Sequence, residues 1–481
     1  MVMGDIREQV EVAVVGGGPG GYAAAFHASD LGKDVALVEM ESRLGGVCLL
    51  RGCIPSKAMI SAAEFYARIQ RAEEMGITVK DARLDMKKLG SWRDKIIADM
   101  SSGLEGLCKT RGVNRIVGRA RLTGPNDLAI TDAAGQTSHL RFKQAVLAVG
   151  SRPIMPHPFQ KSANVVTSDE ALGMNELPAS LLVVGGGYIG IELGSCYAAL
   201  GSKVTIVELL DRILTGTDGD LVRFAQKHLE TRGVAIHLEA KVTECTPRGD
   251  KVHVKVEPKE GAAWTGQFDK VLVAIGRRPN TDDFGLDRAG VKVNEKGFIV
   301  VDEQCRTNLS HIYAIGDCTG VPYLAHRARR QAVIAAEVLC GKPAAFDNRT
   351  IPAVVFSDPE IAYCGLSEEE AKKAGYEIKV GRFSLAASGR AKSLGQAEGL
   401  VKVIAEAGTE VVLGVRMVGP HVSELIGEAS LAVETGAVLE DLIATIHVHP
   451  SMSEAIQEAA EAVRGQAIHS ARVSKPKPAT K

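Results

Sequence analysis

The chain of 481 residues has almost no net charge: 57 Lys and Arg stand against 58 Asp and Glu, a formal balance of −1. With no excess of either sign, no global field draws it to nucleic acid or to an anionic membrane surface. It has no uninterrupted apolar run near the roughly 18 residues that a membrane span needs; the longest candidates are broken by glycine clusters or by Glu192. Met1 to Gln9 carries charges and lacks the basic-then-apolar pattern of a secretory signal. A cysteine framework is missing too. The nine cysteines are odd in number and mostly single (Cys108, Cys196, Cys245, Cys305, Cys318, Cys340, Cys364), unlike a small secreted disulfide scaffold. A reducing, cytoplasmic setting is expected. A bridge that persists is out of place there, and one that cycles is not. The length suggests roughly three domains at 100–200 residues each.

Two cysteines are not scattered. Cys48 and Cys53 lie in the run Gly45-Gly46-Val47-Cys48-Leu49-Leu50-Arg51-Gly52-Cys53-Ile54-Pro55-Ser56-Lys57. A regular helix separates positions i and i+5 by roughly 7.5 Å along its axis, whereas bridged Cα atoms lie within about 6.8 Å. A bridge here therefore needs a distorted or non-helical segment. Gly52 permits unusual backbone angles, and Pro55 suits the first turn of a following helix, read from Lys57 to Phe65. Cys53 would sit near that helix's N-terminus with Lys57 about one turn on, and both features favour a thiolate. A structural zinc site would space its cysteines by two to four and need two further ligands; none stand nearby, and no metal is expected. Two inert buried thiols are the other reading.

The cysteines follow a nucleotide-binding pattern. Val10 to Val15 reads as a short strand. Gly16-Gly17-Gly18-Pro19-Gly20-Gly21 then fits G-x-G-x-x-G at Gly16, Gly18 and Gly21, and a helix-like run to Leu31 and a second strand ending in Glu39 follow. Glycines let backbone approach a pyrophosphate, the helix N-terminus supports its charge, and the acid holds a ribose hydroxyl. The whole unit recurs: Leu181 to Val184, then Gly185, Gly187 and Gly190, then Lys203 to Val207 ending in Glu208. One glycine fingerprint is weak, since tight turns also collect glycine; two complete strand–glycine–helix–strand–acid units are strong. A site beside the disulfide and another downstream imply a flavin and a pyridine nucleotide. Glu208, followed by Leu209 and Leu210, favours NAD over NADP, with Arg212 the only nearby cation that would suit a 2′-phosphate.

Gln144 to Pro153 and Lys270 to Pro279 echo each other, each an apolar strand running into glycine and then Arg-Pro. They predict domain-crossing turns near 151 and 275. Asp317, after a strand and Gly316, could bond a sugar-alcohol hydroxyl or simply sit in a turn.

Together these motifs resemble the flavin-dependent pyridine nucleotide–disulfide oxidoreductases, and among them the dihydrolipoyl dehydrogenases, from about residue 10 to 469. The cysteine segment resembles that family's G-G-x-C-x-x-x-G-C-I-P-S-K run. His447-Val448-His449-Pro450-Ser451-Met452-Ser453-Glu454 resembles its H-x-H-P-T-L-S-E segment. The resemblance implies an α/β fold: two Rossmann-like nucleotide-binding domains plus an α+β C-terminal dimerisation domain. The corresponding boundaries are 1–150 (FAD), 151–275 (NAD), 276–346 (a central domain completing the FAD site), 347–469 (interface) and 470–481 (a flexible tail). It implies Cys48 and Cys53 as the redox disulfide, His449 as acid–base with Glu454 as its orienting partner, and Lys57 near the flavin paired with Glu192. The FAD contacts would be Gly16, Gly18, Gly21, Glu39, Gly46, Lys57, Gly150, Asp317 and Ala325; the NAD contacts would be Gly185, Gly187, Gly190, Glu208 and Gly276. A homodimer is implied, with each active site spanning two chains. So are lipoyl domains and the acyltransferase core of 2-oxoacid dehydrogenase complexes, or the lipoylated carrier of glycine cleavage, as partners.

Alternatives are a related NAD(P)H-dependent reductase for another substrate, or a non-enzymatic role, as a docking scaffold that holds multienzyme complexes together or a lapsed homologue that only binds nucleotide. Mercury reductases carry a C-terminal cysteine pair, and no cysteine follows Cys364. Glutathione reductases usually prefer NADPH, which Glu208 disfavours. The chain departs from the family at Val47 and Leu50, and around His326, where Arg327, Arg329, Arg330 and Gln331 replace the usual acids. These departures bear on redox potential and partner surface more than on reaction type.

Overall fold

The structure, a computed structural model, describes residues 8–470. The expected tail, from 471 on, lies outside the described residues. The chain divides into two compact units, Met1–Pro178 with Val271–Asp347, and Ala179–Lys270 with Asn348–Lys481.

The first unit is built on a sheet whose central strand is β1 (Glu8–Val15). It runs parallel to β2 (Val35–Glu39) on one side and to Thr137–Leu147 on the other. Asn114–Val117 extends the parallel edge beyond β2, Ile312–Ala314 lies parallel to Thr137–Leu147, and an antiparallel meander of Arg119–Gly124 and Asp127–Thr131 completes the sheet. β1 reads as a continuous apolar run because both faces are covered. Val12 and Val14 face helix α1 (Pro19–Asp30) and the helix Ala325–Leu339. Ala13 and Val15 face the other way, toward Leu122, Leu128 and Phe142. The period-2 alternation of a strand thus assigns two cores rather than one core and one wet surface.

The first stretch of the first unit runs to Pro178. The two Arg-Pro segments pair with each other: Ser151–Pro153 runs antiparallel to Arg277–Pro279, with Arg152 opposite Arg278. Val165 and Val166 then pair with Val271 and Leu272. The stretch 276–346 shares the first unit.

In the second unit β3 (Ser180–Val184) and β4 (Lys203–Val207) run parallel, flanking helix α4 (Tyr188–Leu200), with Ala235–His237 beyond β4. From 353 on, a five-stranded antiparallel sheet carries helices α5 (Val422–Thr435) and α6 (Glu454–Val463) over a core that includes Phe383, Val403, Met417 and Ile456. Lys402 rises from that sheet with only 2% of its side chain exposed and reaches Asp218 Oδ2 at 2.6 Å, Asp220 Oδ2 at 3.0 Å and Glu368 Oε1 at 3.1 Å. A buried ammonium is tolerable only when so paired. The cluster ties the N-terminus of the helix Gly219–Thr231 to the C-terminal sheet within this unit. The architecture is the α/β arrangement expected.

Candidate active site

The helix break required by the cysteine spacing is present. Gly46–Arg51 forms α2 and Cys53–Gln70 forms α3, divided at Gly52, whose φ of −142° and ψ of −112° lie outside helix. Cys53 is thus the first residue of α3, at a helix N-terminus whose exposed amides favour a thiolate. Neither cysteine is in a disulfide; Cys53 is exposed and Cys48 half-buried. Their side chains are hydrogen-bonded to each other, and that contact, with burial adding to it, pushes the Cys48 thiol far up while Lys57 pulls it down. The pair is therefore close enough to exchange a proton or close a bridge. Arg51, between the cysteines, braces the loop: its guanidinium lies 2.9 Å from Glu41 and 3.2 Å from Asp169. Its ordinary-looking Arg in a family-like run gave no sign of this in the sequence.

The loop is seated on the first glycine turn. A Cβ on Gly46 would lie 2.6 Å from the Gly18 Cα, so only glycine allows the approach. The turn is as tight within itself: a Cβ on Gly21 would lie 1.6 Å from the Gly16 carbonyl oxygen. Gly18 caps α1, and Pro19 opens it. Buried Glu39 closes the turn, its Oε2 accepting from the Gly17 N–H at 2.5 Å and its Oε1 from the Glu41 N–H at 2.9 Å.

The second unit repeats this fitting. A Cβ on Gly190 would lie 2.0 Å from the Gly185 oxygen, and Gly187 caps α4. Glu208 Oε2 accepts from the Gly186 N–H at 2.5 Å and Oε1 from the Leu210 N–H at 2.8 Å. A carboxylate has about four acceptor sites, so each acid keeps lone pairs for ribose hydroxyls while pinned in place. Leu209 and Leu210 are exposed, 63% and 47%, and offer no cation for a 2′-phosphate. Both turns fit a dinucleotide.

Asp317 meets Ser151, the residue after Gly150. The Ser151 hydroxyl donates to Asp317 Oδ2 at 2.5 Å, and Arg277 Nε donates to that hydroxyl at 2.9 Å. Burial pushes the Asp317 carboxyl up; the Ser151 hydrogen bond and the Arg277 and Arg327 charges oppose it. The carboxyl retains an oxygen for a polyol. Gly276 stands in the same unit at φ +142°, its carbonyl accepting from the Ile154 N–H at 3.0 Å.

Ala325 opens the helix Ala325–Leu339. The basic run after it divides in two. Arg327 and Gln331 are buried: Arg327 donates to the Gly320 carbonyl at 2.7 Å and the Thr319 hydroxyl at 3.0 Å, while Gln331 accepts from the Gly316 N–H at 2.8 Å. These two hold the turn that presents Asp317. Arg329 and Arg330 are exposed.

In the second unit His449 is 80% exposed, and its Nδ1 meets Glu454 Oε1 at 2.8 Å. Glu454 Oε2 accepts from the Ser451 N–H at 2.8 Å. Burial raises the Glu454 carboxyl, but the Ser451 N–H and His449 outweigh it and hold it below the usual carboxylate range. The Glu454 carboxyl is therefore ionised at neutral pH. Buried Glu192, on α4, accepts from the Phe356 N–H at 3.0 Å. Lys57 lies half-buried on α3, one turn past Cys53.

Residues 10–332 match the pyridine nucleotide-disulphide oxidoreductase family, and residues 351–460 match its dimerisation domain. The dihydrolipoyl dehydrogenase of Halobacterium salinarum is 43% identical over 98% of this chain and 99% of its own. That of Geobacillus stearothermophilus is 42% identical over 98% and 99%. That of Thermus scotoductus is 44% identical over 95% and 98%. Among solved structures, LpdA from Mycobacterium tuberculosis superposes with a TM-score of 0.87 at 30% identity, covering 94% of this chain and 99% of its own. The HOCl-induced flavoprotein disulfide reductase RclA from Escherichia coli gives 0.83 at 26%, over 94% and 99%.

Proposed function

The chain belongs to the pyridine nucleotide-disulphide oxidoreductases, flavoenzymes that use FAD and NAD(H), and from that premise we propose that it oxidises protein-bound dihydrolipoamide to lipoamide with NAD+ as acceptor. The observation that carries the proposal is the Cys48–Cys53 pair, split by Gly52 and seated through Gly46 on a dinucleotide-binding turn. His449, oriented by Glu454, takes a proton from the substrate dithiol, because thiolate is the nucleophile in exchange. The substrate thiolate attacks Cys48 of the oxidised pair and the Cys48–Cys53 bond breaks. Cys53 leaves as a thiolate, supported by the N-terminus of α3 and by Lys57. The second substrate sulfur then displaces Cys48, closing lipoamide and leaving the chain with two reduced cysteines. FAD, held at the first glycine turn, would supply the two-electron chemistry that returns the cysteines to the disulfide, with NAD+ as final acceptor and the remaining proton released to solvent.

We assign FAD to Gly16, Gly18, Gly21, Glu39, Gly46, Gly150, Asp317 and Ala325, and NAD to Gly185, Gly187, Gly190, Glu208 and Gly276. Lys57 belongs with the FAD set, and Glu192 with the nicotinamide. The dimerisation domain makes the protein a homodimer. Exposed His449 and its Glu454 serve the partner subunit's disulfide. The carriers are lipoyl domains of 2-oxoacid dehydrogenase complexes or of glycine cleavage, in the cytoplasm. Among the described residues no helix is long and apolar enough to cross a membrane.

The test is to mix purified protein with dihydrolipoamide and NAD+, then with NADP+, and follow nucleotide reduction. Fast reduction of NAD+ with little of NADP+ is expected. No reduction by FAD-loaded protein would overturn the substrate and point to a different disulfide.

A further inference from the structure

The segment that carries His449 is held by very few side chains. Between the helix Leu439–Ala444 and α6 the chain turns outward: Ile446 is 96% exposed, Val448 74%, and the His449 side chain 80%. His447 turns the other way, its side chain only 4% exposed. Its Nε2 lies 2.7 Å from Glu428 Oε1 on α5. Its Nδ1 lies 2.9 Å from the Thr445 carbonyl and 3.2 Å from Gln457 Oε1 on α6. Gln457 cannot turn away freely, because its amide nitrogen is taken up by Glu461 Oε1 at 3.1 Å and the Ile443 carbonyl at 3.4 Å. One imidazole thus fastens an otherwise outward-facing segment to two helices, two residues before the proposed base.

We infer that His447 is a positioning residue for the dithiol half of the reaction: anchored by Glu428 and Gln457, it fixes the backbone from which His449 projects. The inference rests on the acid–base role proposed for His449. Glu454 sets the tilt of the His449 ring from the C-terminal side, and His447 sets where that ring starts. Without His447, Glu428 and Gln457 lose a partner, the segment from 445 to 449 loses its inward anchor, and the imidazole samples positions from which it misses the substrate thiol. A displacement of about 1 Å at such a group can cost on the order of 10²-fold. Binding of the dithiol itself does not depend on the anchor, so the loss should fall on kcat rather than on KM.

The experiment compares His447→Ala, Glu428→Gln, His449→Gln and the double variant His447→Ala/His449→Gln as FAD-loaded dimers. Each is read by steady-state oxidation of dihydrolipoamide and by stopped-flow reduction of the flavin with NADH. His447→Ala should lower kcat for dithiol oxidation between about tenfold and about 100-fold, with KM within about twofold and the NADH half-reaction at the parent's rate. If His447 acts through His449, the double variant should be no slower than His449→Gln alone, since the effects of residues working as a unit are non-additive. A parental kcat for His447→Ala beside a crippled His449→Gln overturns this inference alone, as do multiplying losses in the double variant. A parental His449→Gln overturns the acid–base reading, and the inference falls with it. If His447→Ala does not fold, Glu428→Gln, which keeps the shape and removes the charge, should lose kcat in the same direction; parental turnover there overturns the inference.

Discussion

Replacing Glu454 with glutamine tests the acid–base centre at its most constrained atom. Each carboxylate oxygen already serves one donor: Oε1 faces His449 Nδ1 at 2.8 Å and Oε2 accepts from the Ser451 N–H at 2.8 Å. Glutamine has one acceptor oxygen and must disappoint one of them. If the amide oxygen keeps Ser451, its NH2 faces His449 Nδ1, which must then accept. The ring proton moves to Nε2, the nitrogen that has to take the substrate's proton, and the base is blocked. If the oxygen keeps His449, the Ser451 N–H is stranded at about 1–3 kcal/mol. In either case a charge-assisted bond of about 1.5–3 kcal/mol becomes a neutral one of about 0.5–1.5. That difference alone approaches the 1.36 kcal/mol that makes a factor of ten in rate. Wrong-tautomer blockage in a buried Ser-His-Asp triad reaches about 10⁴-fold. His449 is largely exposed, so water can exchange its tautomers and the full penalty will not be felt. The expected loss is about 10²- to 10³-fold in kcat for dihydrolipoamide oxidation, with NADH still reducing the flavin. Turnover within about threefold of the parent would refute the orienting role of Glu454.

Gly21→Ala should prevent the chain from retaining FAD, since its methyl would enter the Gly16 carbonyl; purified protein that is still yellow at parental absorbance would contradict the fitted turn. Glu208→Ala should weaken NAD far more than FAD, measured by titration of each nucleotide; equal losses would mean that the second turn is wrongly assigned. Asp269 has its carboxyl pushed down to about 2 by hydrogen bonds from Lys251 and then Ser180, against an ordinary value of about 3.9. A depressed carboxyl stabilises the fold above its unfolded value and loses that contribution as pH falls through its folded one. Its share is therefore complete above about pH 4 and lost toward pH 2, and Asp269→Asn should flatten the pH dependence of the denaturation midpoint in that window. Lys402→Ala removes the buried ammonium that Asp218, Asp220 and Glu368 share, leaving only Arg382 on Glu368 and Arg416 beside Asp218. It should destabilise by about 3–5 kcal/mol, the usual loss when one partner of a buried ion pair is removed, read as a lowered unfolding midpoint.

The local fittings were legible because each is a short-range consequence of residue type. Two glycine turns followed by an acid can be read along the chain, and both acids close on their turns through the same pair of backbone donors, Gly17 with Glu41 and Gly186 with Leu210. The break at Gly52 follows from spacing alone. What sequence could not supply was pairing across distance. The Arg-Pro segments read as two separate crossings, and each is in fact the other's strand partner.

The basic run after His326 shows the same limit in the site. By composition it is four departures of one kind, and a sequence reader weighs them together. Burial sorts them. Arg327 and Gln331 fall on the inward face of their helix and satisfy the carbonyls and amide of the turn that bears Asp317, whereas Arg329 and Arg330 fall outside. Helical period predicts that alternation once the inward face is known, but which face is inward is set by the packing of Ala328 and Ala332 in the first unit's cores, a contact between segments three hundred residues apart in the chain. An arginine in this run is thus two different residues physically. One spends its hydrogen bonds on the fold and cannot greet a partner. The other keeps its charge at the surface, where charge reversal at Arg329 leaves the hydrogen bonds of the turn that bears Asp317 intact.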